Sequence, residues 1–87
     1  MIFDKKGHLY FPLWFIIIYE IGNGNNYGHK ITKSTNTTYS GVSNIIKELV
    51  IKGYAISEKR GRTKFLTLTP RGIEVYDFMC KINRVLP

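Results

Sequence analysis

The sequence predicts an α+β domain in which helices enclose a small core and carry a single two-stranded hairpin near the carboxyl end. Three observations lead there. Apolar residues recur at helical spacing in three stretches, around 13–21, 39–52 and 70–85. Two short runs rich in β-branched and aromatic residues flank a basic turn that contains Gly61. Proline, threonine and glycine stand where these segments begin and end. With 87 residues, 44% of them hydrophobic and 22% charged, the chain reads as one globular domain over 1–87, with an arm at 1–10.

Each element has a local reason. Pro12 suits the first turn of a helix that continues to about Ile21. Its run Leu13-Trp14-Phe15-Ile16-Ile17-Ile18-Tyr19 is too short to span a bilayer. Despite Lys5 and Lys6 upstream, no small-residue cleavage site follows it, so it reads as a buried core helix and no membrane partner is expected. Gly22-Asn23-Gly24-Asn25-Asn26 ends the helix with residues that tolerate positive φ. A short helix is expected over 27–34, then a turn over 35–38, with Thr37 or Thr38 as the cap of the next helix. Val42, Ile45, Ile46 and Leu49 define an amphipathic helix over 39–52, stopped by Gly53. Strands follow at 54–57 and 63–68 around the turn Lys59-Arg60-Gly61-Arg62. Thr69-Pro70 is a cap followed by proline in the first helical turn, so a last helix begins there and runs over 70–85.

Charge is the sharpest clue to a partner. The chain carries a net +7, and all of it lies in residues 28–72, where nine basic residues face only Glu48 and Glu58. At the two ends, Lys5, Lys6, Lys81 and Arg84 are balanced by Asp4, Glu20, Glu74 and Asp77. A polyanion should therefore dock on the middle segment.

The order helix, short helix, polar turn, amphipathic helix, basic hairpin, helix is that of a winged helix-turn-helix: a three-helix core, a two-stranded wing hairpin and a C-terminal helix. On this reading 27–52 form the helix-turn-helix, 54–68 the wing and 70–85 a dimerisation helix. The stretch Thr38-Tyr39-Ser40-Gly41-Val42-Ser43-Asn44-Ile45-Ile46-Lys47-Glu48-Leu49, with Lys52-Gly53-Tyr54, resembles the recognition helix of the MarR family of regulators. Phe65-Leu66-Thr67-Leu68-Thr69-Pro70-Arg71-Gly72 is similar to the strand-to-helix junction that closes the wing in that family. The chain also looks like the minimal winged-helix proteins of archaea and their viruses or plasmids. The resemblance implies a homodimer that binds double-stranded DNA and controls transcription. Only one helix follows the wing, whereas the family's ligand pocket uses additional dimerisation helices, so no small-molecule ligand is expected.

The residues themselves support the same partner. Thr38, Tyr39, Ser40, Ser43, Asn44 and Lys47 fall on the polar side of the 39–52 helix. Small polar groups near its N-terminus leave room for base edges, and Asn44 has the donor and acceptor that pair with adenine. Lys59, Arg60, Arg62 and Lys64 form a basic wing suited to phosphates or a narrow minor groove. Lys30 and Lys33 are expected on the DNA backbone. A solvated helix face and a charge-protected hairpin are the plain alternatives for each residue taken singly. Ile73, Tyr76, Met79, Cys80 and Ile82 are expected at the dimer interface, because apolar residues cover more than one stripe of the last helix.

Other chemistry is poorly served. Cys80 is the one cysteine, so no intrachain disulfide forms, in keeping with a cytoplasmic location. His8 and His29 have no partners at ligand spacing, and neither a metal nor a cofactor is expected. Six scattered carboxylates assemble no catalytic set, so the chain reads as a non-enzyme. Rival readings are an architectural or replication-associated DNA-binding protein of low specificity, and a winged-helix module that binds an acidic protein.

Overall fold

The computed structural model describes residues 12–85. The arm at 1–10, His8 and Leu86 lie outside them. Four helices and one antiparallel hairpin follow in the order α1 (Leu13–Gly22), α2 (Gly28–Thr35), α3 (Tyr39–Ile51), β1 (Ala55–Arg60), β2 (Thr63–Leu68) and α4 (Pro70–Val85). This is the winged-helix arrangement that the sequence predicts.

The apolar run of α1 is explained by its position between two partners. Ile17, Ile18 and Ile21 face one way, onto Ile31 of α2, Val42 and Leu49 of α3, and Ala55 and Leu66 of the hairpin. Ile16 faces the other way, onto Met79 of α4, with Phe15, Tyr19 and Val75 around the pair. A helix clamped on two sides needs apolar residues on more than one face. Ile16, Ile17 and Ile18 are all fully buried, and each contributes roughly 1.5–3 kcal/mol by leaving water.

Polar bonds set the angles between elements. The Glu20 carboxylate is buried at the end of α1, where it accepts hydrogen bonds from the Asn25 amide and from the Ser34 hydroxyl of α2. The Leu66 N–H donates to the Asn26 carbonyl at 2.7 Å, so the α1–α2 loop lies against the outer edge of β2. In the turn before α3, Thr38 is the cap: its hydroxyl accepts from the Gly41 N–H at 3.3 Å. Asn36, rather than Asn23, takes the left-handed conformation, with φ +53 against −86. In the α1–α2 loop, Gly24 holds the positive φ.

The hairpin differs from its expected form. β1 runs on through Lys59 and Arg60, which pair with Lys64 and Thr63, and the turn shrinks to Gly61-Arg62. Gly61 has φ +62 and Arg62 keeps a negative φ, as in a two-residue turn that needs glycine first. Such a turn matches the twist of the strands, so pairing extends to its limit and the expected four-residue tip becomes strand.

Candidate nucleic-acid interface

α3 and the hairpin line a groove of about 590 Å³, with Ile46 and Leu66 among its apolar residues and Tyr27, Gly28 and His29 also at its border. The α3 wall exists because Val42 and Leu49 are buried in the core, which turns the opposite side outward. Thr38, Tyr39, Ser40, Asn44 and Lys47 are exposed, and Ser43 is half-buried in the groove wall. All six residues expected on the reading face are therefore on or beside one surface. None of the side chains of Ser40, Ser43, Asn44 and Lys47 is engaged within the chain among the described residues. Their donors and acceptors are available to a partner.

The second wall is basic. Lys59 and Lys64 stand directly opposite each other across the strands, and both line the groove with Arg62. Like charges in direct cross-strand register destabilise a hairpin. Lys47 faces them from α3, so four cations border one channel. Such a channel attracts a phosphate chain, and a bound polyanion relieves the repulsion.

Arg60 departs from the expected set. Residues in register share a face, and alternation puts Arg60 on the face opposite Lys59. There its guanidinium is 3.2 Å from Glu58 and lies over the Phe65 ring at 5.6 Å. The expected basic tip is thus split: Lys59, Arg62 and Lys64 face the groove, while Arg60 is partly neutralised behind it. The reason is the tight turn, which fixes the parity of every residue in β1.

Lys30 and Lys33 are exposed on α2. Lys30 is tied down, donating to the Gly24 carbonyl at 3.2 Å and lying 5.9 Å from the Tyr27 ring centre. Lys33 follows His29 by one helical turn and shares its face. His29 is a residue that sequence reasoning set aside. Its ring stacks on Tyr39 at 4.5 Å and forms part of the groove. The one hint in the sequence is Gly28 beside it: a Cβ there would stand 3.0 Å from the Tyr39 ring.

The far end of α3 is held by α4. Arg71 donates to the Lys52 carbonyl at 3.3 Å, and the Thr69 hydroxyl donates to the Gly53 carbonyl at 2.6 Å. Thr69 also caps α4, accepting from the Gly72 N–H at 3.2 Å. A Cβ on Gly72 would fall 2.1 Å from the Tyr54 carbonyl oxygen, so only glycine lets the two elements approach this closely.

The residues expected at a dimer interface scatter around α4. Met79 is buried against Ile16 in the chain's own core and is not an exposed interface residue. Tyr76 is engaged inside the chain too: its hydroxyl donates to Asn23 Oδ1 at 2.8 Å and its ring stacks on Tyr19. A hydrogen bond with the Cys80 thiol, with burial adding to it, pushes the Tyr76 phenol above the ordinary tyrosine range. Cys80 and Ile82 are half-buried, and Ile73 is exposed on another side of the helix from Ile82. Phe78 and Val85 are the apolar residues that α4 leaves most exposed, at 52% and 80%. Helical periodicity alone does not say which stripe of an apolar helix meets its own core.

Among the described residues no cluster of His, Cys, Asp and Glu is arranged to hold a metal ion. No described helix is long and apolar enough to cross a membrane.

Four helices, a basic hairpin and an outward-facing α3 define a winged-helix domain with the fold of MarR-type regulators. Staphylococcus aureus MarR in complex with salicylate and kanamycin superposes with a TM-score of 0.72 at 23% identity, covering 85% of this chain and 52% of that one. A variant of S. aureus MepR bound to an oligodeoxyribonucleotide gives 0.72 at 19% identity, covering 82% of this chain and 56% of that one. This chain spans about half the length of these bacterial regulators. AF1382 from Archaeoglobus fulgidus is 30% identical with a TM-score of 0.69, over 84% of this chain and 81% of that one. The chain belongs to the same winged-helix family as this archaeal protein. No protein-family model and no curated protein sequence matches it.

Proposed function

We propose that this chain is a non-enzymatic, sequence-specific regulator of transcription that binds double-stranded DNA as a homodimer. α3 enters the major groove with Ser40, Ser43 and Asn44 toward base edges, Thr38 and Tyr39 at its entry, and Lys47 beside the backbone. Lys59, Arg62 and Lys64 grip the flanking phosphates or the minor groove. Arg60, Lys30 and Lys33 lie further out and contribute longer-range attraction. A second copy packs on α4. The observation that carries this reading is the channel between α3 and the hairpin. It has uncommitted polar side chains on one wall and a like-charged lysine pair on the other. The MepR variant bound to an oligodeoxyribonucleotide supports it by likeness of fold.

Selection of bound sequences from a random duplex pool, followed by titration of variants, tests the proposal. Asn44→Ala should weaken the selected site by about 1–3 kcal/mol and leave a scrambled duplex nearly unchanged. Lys59→Ala with Arg62→Ala should weaken both duplexes and flatten the dependence of affinity on salt. Equal losses on both duplexes for Asn44→Ala would indicate an architectural protein. Absence of DNA binding at low salt would leave a module for an acidic protein partner.

A further inference from the structure

The channel between α3 and the hairpin has two unlike ends. α3 stops at Ile51 and β1 starts at Ala55, so the last turn of α3 and the first residues of β1 meet at a hinge. The lining at that end is Val50, Ile51 and Ser57, all uncharged. Val50 and Ile51 are exposed, Ile51 by 80%. Ile46, one helical turn before Val50, continues the apolar surface into the channel. Toward the hairpin turn the lining becomes Lys59, Arg62 and Lys64, with Lys47 contributed by α3. Among the described residues no carboxylate lines the channel.

A duplex accounts for one end only. On the DNA-binding reading Lys47 sits beside the backbone, and Ile51 lies one turn further out. There a duplex presents phosphate and sugar, which gain little from valine and isoleucine. Exposed apolar residues scattered singly are ordinary, but neighbours that line one concave channel mark a docking surface.

We infer that this channel also receives an acidic, amphipathic segment of a partner protein. Its carboxylates meet Lys47, Lys59, Arg62 and Lys64, and its apolar side chains cover Ile46, Val50 and Ile51. Charge selects an anion, and the hinge end selects one that carries hydrocarbon beside its charges. Length selects a peptide. From Tyr39 to Ile51 the α3 side runs about 18 Å at 1.5 Å per residue, enough for about twelve residues of a helix or about six of an extended chain. Such a segment buries apolar anchors and pairs its carboxylates in the same contact. The cations it uses are those that would hold phosphates, so segment and duplex exclude each other. That competition rests on the DNA-binding reading; the peptide site does not.

Titration of the full chain with a fluorescent synthetic peptide, a run of glutamates followed by a run of leucines, tests the site. Serines in place of the leucines should weaken binding about tenfold. Ile51→Ser, at an exposed position, should keep its helix content and bind the leucine peptide about tenfold more weakly. Its affinity for the serine peptide and for the selected duplex should stay within about twofold. Lys59→Ala with Arg62→Ala should weaken peptide and duplex alike, and excess duplex should displace the peptide. Equal affinity for the two peptides, or no effect of Ile51→Ser on the leucine peptide, would overturn the proposal. Dodecanoate binding as tightly as the peptide would overturn it in favour of a small amphiphile. A dimer that Ile51→Ser dissociates in sedimentation would overturn it in favour of a second copy. Leucine-dependent binding by a chain that ignores DNA keeps the peptide site and refutes the DNA-binding reading. A chain that binds DNA without preferring the leucine peptide does the reverse.

Discussion

The two ends of α3 are built on opposite principles. At the N-terminal end, Thr38 makes one local cap of 3.3 Å, and Ser40, Ser43, Asn44 and Lys47 present polar side chains with no hydrogen-bond or ion-pair partner among the described residues. At the C-terminal end, the carbonyls of Lys52, Gly53 and Tyr54 accept from Arg71, Thr69 Oγ1 and the Thr69 N–H. Gly72 lies so close to Tyr54 that no side chain fits. One end is left unbonded and the other immobilised. A reading surface needs its hydrogen-bonding groups uncommitted, because a donor already paired within the chain adds little on binding. It also needs a fixed mount, because loss of aim spreads contact energy over many poses.

This contrast can be broken at the mount or sharpened at the reading end. The largest effect is expected for Gly72→Ala, which drives a methyl into the Tyr54 carbonyl. Denaturant unfolding should show a loss toward or beyond the upper end of about 1–3 kcal/mol, with DNA affinity falling as α3 shifts. Thr69→Ala removes both the cap of α4 and the donor to Gly53, and should cost about 1–2 kcal/mol by the same measurement. Lys59→Ala with Lys64→Ala should act in the opposite direction. Relief of the cross-strand repulsion should raise the stability measured by denaturant unfolding by a few tenths of a kcal/mol, while DNA affinity falls in low salt. The smallest change in stability, within about 0.5 kcal/mol, is expected for Ser40→Ala. Its effect should appear only as lost preference for the selected duplex in a competition titration.

Much of the mount is legible in the sequence. Thr69-Pro70 and Gly53 announce their roles because capping and positive φ are local demands, satisfied within a few residues. The same rule leaves Thr37 and Thr38 as candidates for the α3 cap, and the structure selects Thr38. The polar face of α3 was legible for a related reason. Val42 and Leu49 fix which side of α3 is buried, and Ser40, Asn44 and Lys47 then fall on the other. The wing was harder to read. Lys59 and Arg60 are adjacent in sequence yet serve opposite faces, and only the pairing register decides which. A turn shorter by two residues was enough to move Arg60 away from the groove.

The sequence by itself determined the order of elements, the Thr69 cap of α4, the buried side of α3 and the segment that holds the excess charge. These follow from spacing and from side-chain chemistry acting over one or two turns. Tertiary structure alone decided which stripe of α4 meets α1, so that Met79 is buried while Phe78 faces outward. It also brought His29 onto Tyr39 and joined α3 with the hairpin around one channel. Those outcomes depend on how whole elements are oriented, and orientation is set by packing among residues far apart in the chain, where no local pattern carries the information.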